Sequence, residues 1–168
     1  MTEPIINKVA ESGLVTLDLE QYFPADEVVS FDLQPFLFMG LILKEKEFRT
    51  ALQQNDWKAY EGKIVAVHCS ADAIIPVWAY MLAATYLQPI AKDVLLGTKE
   101  EATKRILIKN ISSIDTSSYT DKRIVVKGCG DKNIGDYAYL EITKLLMPVA
   151  KSIMYGEPCS TVPLYKRK

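Results

Sequence analysis

Two stretches of this chain are versions of one another. Residues 63–97 read KIVAVHCSADAIIPVWAYMLAATYLQPIAKDVLLG, and residues 122–156 read KRIVVKGCGDKNIGDYAYLEITKLLMPVAKSIMYG. They align without a gap: Lys63 falls on Lys122, Val67 on Val126, Asp72 on Asp131, Ile75 on Ile134, and Ala79-Tyr80 on Ala138-Tyr139. Leu87, Pro89, Ala91, Lys92 and Gly97 fall on Leu146, Pro148, Ala150, Lys151 and Gly156 in the same register. Self-similarity at a fixed offset is the trace of a repeated supersecondary unit. Whatever one copy folds into, the other is expected to fold into as well.

Each copy opens on a short β-branched run, IVAVH at 64–68 or IVV at 124–126, followed by a polar loop. A helical pattern comes next, over 75–91 and 137–150, and then a second short apolar run, over 93–96 and 152–155. Such runs are typical of buried parallel strands. Strand, helix and strand with short connections make a βαβ unit whose two strands are parallel. Pro89 is placed to break the last turn of the first helix. Thr98 and Glu101 form a capping box that opens a further helix through TKEEATKRILIKNI.

Ahead of the repeats, residues 4–11 read as a short helix ended by Ser12-Gly13. Val15, Leu17 and Leu19, and then Val29, Phe31 and Leu33, alternate with polar residues on either side of a Phe23-Pro24-Ala25-Asp26 turn, which predicts a hairpin. Pro35 is suited to open a helix that ends near Asn55. Pro158 and Pro163 predict an irregular tail with a solvated basic end. The expected fold class is α/β: a duplicated βαβ unit forming a mainly parallel sheet with flanking helices, plus an N-terminal hairpin and helix. A single domain over 1–168 accommodates it.

A chain of 168 residues, 49% apolar and 24% charged, is large enough for a hydrophobic core of its own. The net charge of −1 removes the electrostatic case for nucleic acid. The N-terminus MTEPIINKVAES has no signal-peptide character, and an odd count of three cysteines fits a reducing cytoplasm better than a disulfide framework. Ala73 to Ala91 carries no charge and approaches the length of a membrane-spanning helix. Pro76, Thr85, Gln88 and Pro89 interrupt it, and its copy carries Lys132, Asp136, Glu141 and Lys144. The segment is therefore expected to be a helix buried on most sides of a soluble core, with no membrane as partner. A homodimer is the alternative use of its apolar surface.

The candidate chemistry lies in the cysteines. Cys69 and Cys129 follow the first strand of each copy, and Cys159 follows the last strand. Groups just beyond the carboxyl ends of parallel strands gather on one edge, where α/β folds bind ligands. Cys69 and Cys129 also precede helices, whose free N–H groups favour a thiolate. Three thiolates, with His68, Asp72 or Asp131 as a fourth donor, would suit zinc or an iron–sulfur cluster. No CxxC pair is present. Two other readings stand beside this one. One cysteine is a nucleophile, with His68, the sole histidine, as its base; or all three are small apolar filler.

Asp72 and Asp131 fit an acid–base or ligand-orienting pair, or N-caps for the helices that follow. Trp78 with Tyr137, and Tyr80 with Tyr139, are expected in the core or at a subunit interface. The GxGDK of residues 128–132 lacks the Lys-Ser/Thr pair of a phosphate loop.

HCSADAIIPVWAYMLAATYLQPIAK, KGCGDK and AKSIMYGEPCSTVPLYK resemble a bacterial family catalogued as domain of unknown function 2480, over the whole chain. That family carries no established activity, so the resemblance implies no reaction. It implies association with iron–sulfur assembly genes, and hence iron–sulfur assembly proteins as partners. The functions expected are, first, a metal or iron–sulfur binding accessory protein using Cys69, Cys129 and Cys159. The alternatives are a thiol-dependent enzyme and an interaction module without chemistry.

Overall fold

The computed structural model describes residues 13–128 and 130–168. The helix expected at 4–11 and the side chain of Cys129 lie outside them. In chain order the strands are β1 (Leu14–Asp18), β2 (Val28–Asp32), β3 (Leu37–Phe38), β4 (Ile42–Leu43), β5 (Ile64–His68), β6 (Asp93–Leu96), β7 (Arg123–Lys127), β8 (Ser152–Glu157) and β9 (Ser160–Lys166). The α-helices are α1 (Glu45–Gln54), α2 (Val77–Leu87), α3 (Lys99–Ser112) and α4 (Asp136–Leu146). The fold is mixed α/β, with two mainly parallel sheets and a small two-stranded antiparallel sheet.

The backbone gathers into two compact units. One is continuous, Pro24–Arg105; the other is split, ending at Phe23 and resuming from Ile106 to Lys168. In the continuous unit β2, β5 and β6 are parallel neighbours in that order. In the split unit β1, β7 and β8 repeat the arrangement, and β9 adds an antiparallel strand beside β8.

The strand register extends the duplication beyond what the sequence alignment displayed. Val29 pairs with Val65 and Val15 pairs with Ile124, and Val65 aligns with Ile124 in the repeat. LVTLDLE (14–20) and VVSFDLQ (28–34) therefore hold the same place in their two units. The hairpin predicted between them does not form. Alternation located both strands, but each one pairs in parallel with the central strand of its own unit and buries Leu17 or Phe31 there.

The antiparallel hairpin comes later, as β3–β4. Its turn puts Met39 and Gly40 at φ 52° and 71°, and Leu41 N–H donates to Phe38 O at 3.1 Å. The register pairs Phe38 with Ile42 and leaves a three-residue loop, Met39 to Leu41, whose two successive positive φ values are what a type I′ turn requires. Pro35 opens only a 3-10 turn, Gln34–Phe36, and the helix expected from it starts at Glu45.

The correspondence runs on into the connections. Phe48 and Leu52 of α1 align with Leu107 and Ile111 of α3, and all four are fully buried. Asp56 Oδ1 accepts from Lys58 N–H at 3.2 Å, and its counterpart Asp115 accepts from Ser117 N–H at 2.9 Å, each opening a 3-10 turn. Gly62 and Asp121, both at positive φ, donate to Ile90 O and Val149 O at 2.9 Å. Each unit is thus βαβαβ.

Their cores coincide position by position. Leu33, Val65, Val67, Ala79 and Leu87 in one unit match Leu19, Ile124, Val126, Ala138 and Leu146 in the other, all buried. Where sizes differ they offset: Phe31 and Phe48 accompany Ala83, whereas Leu17 and Leu107 accompany Ile142. Close packing requires such volume matching.

The tail expected to be irregular is strand β9 despite Pro163. It is an edge strand with a register shift opposite Ile153/Met154, the setting in which proline is tolerated. Arg167 fastens its end through Asp121 at 2.8 Å and Pro148 O at 2.8 Å. Among the described residues no helix is long and apolar enough to cross a membrane.

Candidate functional site

The carboxyl edges of the two sheets are built on equivalent residues used differently. In the continuous unit Asp32 and His68 close β2 and β5 as register partners. Asp32 Oδ1 accepts from Gln34 N–H and Ser70 N–H, each at 2.9 Å, and Ser70 Oγ donates to Oδ2 at 2.5 Å. Partial burial pushes the Asp32 carboxyl up. The bonds from Ser70 Oγ, Gln34 N–H and Ser70 N–H, with His68 nearby, outweigh it and hold the group below its ordinary value. In the split unit Asp18 and Lys127 hold the corresponding places, 3.6 Å apart, and Lys127 also lies 3.7 Å from Glu157. Here Glu20 makes the crossing: its Oε1 accepts from Gly130 N–H and, at 3.4 Å, from Lys132 N–H. Both arrangements fasten the loop after the central strand to the end of the first strand.

Sequence reasoning passed over Asp18 and Asp32. The signal was present, since both first strands end on the same Asp-Leu pair at the same register.

The predicted candidates are distributed over the two units. Cys69 is half-buried against the core that contains Trp78 and Tyr80, with Sγ 3.7 Å from Ala71 O. Cys159 is exposed, in the turn joining β8 to β9. Cys69 and His68 belong to the continuous unit and Cys159 to the split one, while Cys129 lies outside the described residues. Asp72 and Asp131 are both exposed, one in each unit. Neither caps a helix, which corrects that expectation: α2 and α4 start only after Pro76 and Gly135, and neither start has a side-chain cap. Among the described residues no group of three or more His, Cys, Asp and Glu side chains is arranged to hold a metal ion. The aromatics behave as predicted, with Trp78 and Tyr80 packed on one core and Tyr137 and Tyr139 on the other.

What stands out physically is an apolar surface on the continuous unit. Met39 is 81% exposed, Ile74 93% and Val77 75%, and Leu41, Ile42 and Met81 are exposed beside them in sequence. The hairpin and the loop before α2 meet around an open cavity of about 410 Å³, lined by Leu41, Ile42, Leu43, Asp72, Ala73, Ile74 and Pro76. At the counterpart positions in the split unit Asn133 replaces Ile74 and Asp136 replaces Val77, while Leu140, 66% exposed, keeps the apolar character of Met81. The same fold therefore forms without the apolar side chains of Ile74 and Val77.

Residues 3–167 match the family described as Protein of unknown function (DUF2480). The chain belongs to that family. The match takes in both units, so the duplication lies inside the family's boundaries. No curated protein and no solved structure matches the chain. Within this DUF2480 chain, the unequal surfaces of two equal cores are the clearest pointer to function.

Proposed function

We propose that the protein is an interaction module whose working surface is the apolar face of the continuous unit, and that this face receives a second copy of the chain. The observation that carries the reading is the exposure of Met39, Ile74 and Val77 on a framework whose counterpart keeps the fold with Asn133 and Asp136 instead. Contiguous exposed apolar surface of this kind marks interaction sites in soluble proteins, and covering it returns ~25 cal/mol per Å² of apolar area. The choice of a second copy rests on charge. A twofold contact sets a patch against itself, so any charge near the axis meets its own sign. No residue from Ala73 to Ala91 is charged, which removes that repulsion along the whole of α2 and leaves Asp72 as the charge in the cavity's lining.

Photo-crosslinking in intact cells tests this. A benzophenone side chain at position 42 is expected to give an adduct of twice the chain's mass, while the same group at position 141 on α4 gives none. Equal adducts at both positions, none at either, or an adduct of another mass at position 42 contradicts the reading.

A second reading, metal or iron–sulfur handling through the cysteines, is supported by strand order. β7 and β8 are neighbours, so the segment that continues from Lys127 towards Cys129 leaves the same sheet edge as the turn holding Cys159. Protein purified without oxygen is expected to carry stoichiometric zinc or iron that a Cys129→Ser variant lacks. Metal content unchanged in the variant contradicts this reading. Thiol catalysis instead requires one cysteine that reacts fast with iodoacetamide whether or not metal is present.

A further inference from the structure

The split unit holds a second cavity, of about 310 Å³, lined by Val126, Asp136, Tyr139, Thr143, Tyr155 and Leu164. Its floor is the carboxyl end of the sheet, where Val126 pairs with Tyr155 and Tyr155 pairs with Val162 of β9. One wall is α4, which presents Asp136, Tyr139 and Thr143 at helical spacing on one face. The other wall is Leu164 of β9. The Tyr139 and Tyr155 rings meet edge to face, with centroids 5.6 Å apart and planes at 78°.

The duplication supplies an internal control. The counterparts of the first five lining residues are Val67, Val77, Tyr80, Ala84 and Leu96, and among the described residues β6 has no partner strand in the place of β9. The fold keeps the valine and one tyrosine, and does without the carboxylate, the hydroxyl and the second ring. Those three groups are additions to the framework.

We infer that this cavity binds a small organic cation with an apolar body, an alkylated or aromatic ammonium compound. Ligand pockets are mostly apolar, with a few polar groups that fix orientation. Two tyrosines line the cavity, and aromatic rings attract cations; the Asp136 carboxylate supplies the opposite charge, and Val126 and Leu164 take the hydrocarbon. The structural role open to Asp136, a negative charge in the first turn of α4, is worth only ~0.3–1 kcal/mol and does not require the tyrosine pair.

The test is a ligand-observed NMR titration of the intact chain with benzyltrimethylammonium, and with benzyl alcohol as the neutral comparison. Saturable binding of the cation is expected, with the alcohol much weaker. Asp136→Asn is expected to weaken the cation about tenfold, equivalent to ~1.4 kcal/mol. Tyr155→Leu, which installs the counterpart residue, is expected to weaken it to a similar degree, and Gln53→Ala on the exposed face of α1 to leave it unchanged. If Asp136→Asn fails to fold, Tyr155→Leu alone carries the test. No saturable response to the cation, or equal affinity in wild type and variants, overturns the inference.

Discussion

The continuous unit and the split unit share a backbone plan and differ in what they show to solvent. Ala79 and Ala138, Leu87 and Leu146, Val67 and Val126, and Leu33 and Leu19 are buried in equivalent places, so they state what the βαβαβ framework needs. Ile74 against Asn133, Val77 against Asp136, and Leu96 against Tyr155 lie outside that requirement. Within one chain, position and topology are held constant while the surface changes. The difference separates residues that make the fold from residues that use it. By that criterion the continuous unit carries an apolar contact face, and the split unit carries a small, mainly apolar cavity with the Asp136 carboxylate in its lining.

The largest expected effect tests whether the two cores are interchangeable. Ile142→Ala gives the split unit the Ala83 of its counterpart without the larger Phe48 that accompanies it, and should cost ~2–5 kcal/mol in denaturant unfolding. Adding Leu107→Phe then copies the Phe48 and Ala83 combination, and should recover part of the loss. An additive double variant would show that the two cores reach their packing by separate routes. Next, α3 begins with a closed capping box, in which Thr98 N–H donates to Glu101 Oε2 at 2.8 Å and Glu101 N–H to Thr98 Oγ1 at 3.3 Å. Its counterpart α1 has no side-chain cap at Lys44. Thr98→Ala should therefore cost ~1 kcal/mol and fray only the start of α3. Hydrogen exchange of the α3 amides checks it.

Two smaller effects concern pH. The Asp32 carboxyl is held below its ordinary 3.8 in the folded chain. A depressed folded value stabilises the fold above the unfolded value, and that stability is lost as pH falls through the folded one. Because the group is only partly buried and solvent screens it, the effect should be well under ~1 kcal/mol. Asp32→Asn should lower stability at neutral pH, and its difference from wild type should close as pH drops below 3.8. At the alkaline end, Tyr119 is pushed up to about 12 by burial and by its hydrogen bond and proximity to Tyr22. A raised folded value stabilises below the unfolded value of 10 and is lost as pH rises through about 12. The tyrosinate absorbance should show a component titrating near pH 12 that Tyr119→Phe removes, beside the raised Tyr60, Tyr80 and Tyr137.

Much of the framework was legible because duplication amplifies weak signals. Two aligned copies of strand, loop, helix and strand fixed the parallel βαβ cores and the buried aromatics. The pairing of the first strands escaped, since β1 and β2 are consecutive in sequence and no constant offset relates them to β7 and β5. Consecutive alternating runs resemble a hairpin, and only long-range pairing with the central strands decides otherwise. The β3–β4 hairpin was hidden in PFLFMGLIL, whose Met-Gly turn lacks the usual Asn-Gly signal. β9 was hidden by prolines that an edge strand tolerates. At the site, Cys69 and Cys159 follow strand ends as expected, while Cys129 lies outside the described residues. Their division between the two units depended on which central strand each first strand joins, and local pattern does not contain that information.

The most direct test of the central claim is sedimentation of the wild type and an Ile74→Asn/Val77→Asp double variant over a dilution series, with thermal unfolding of both. Each substitution installs the residue that the counterpart unit already carries. The account predicts that the wild type associates as a dimer, and that the double variant is monomeric with unfolding changed by no more than ~0.5 kcal/mol per site. A wild type that stays monomeric at every concentration, or a double variant that dimerises as well as wild type, would contradict it.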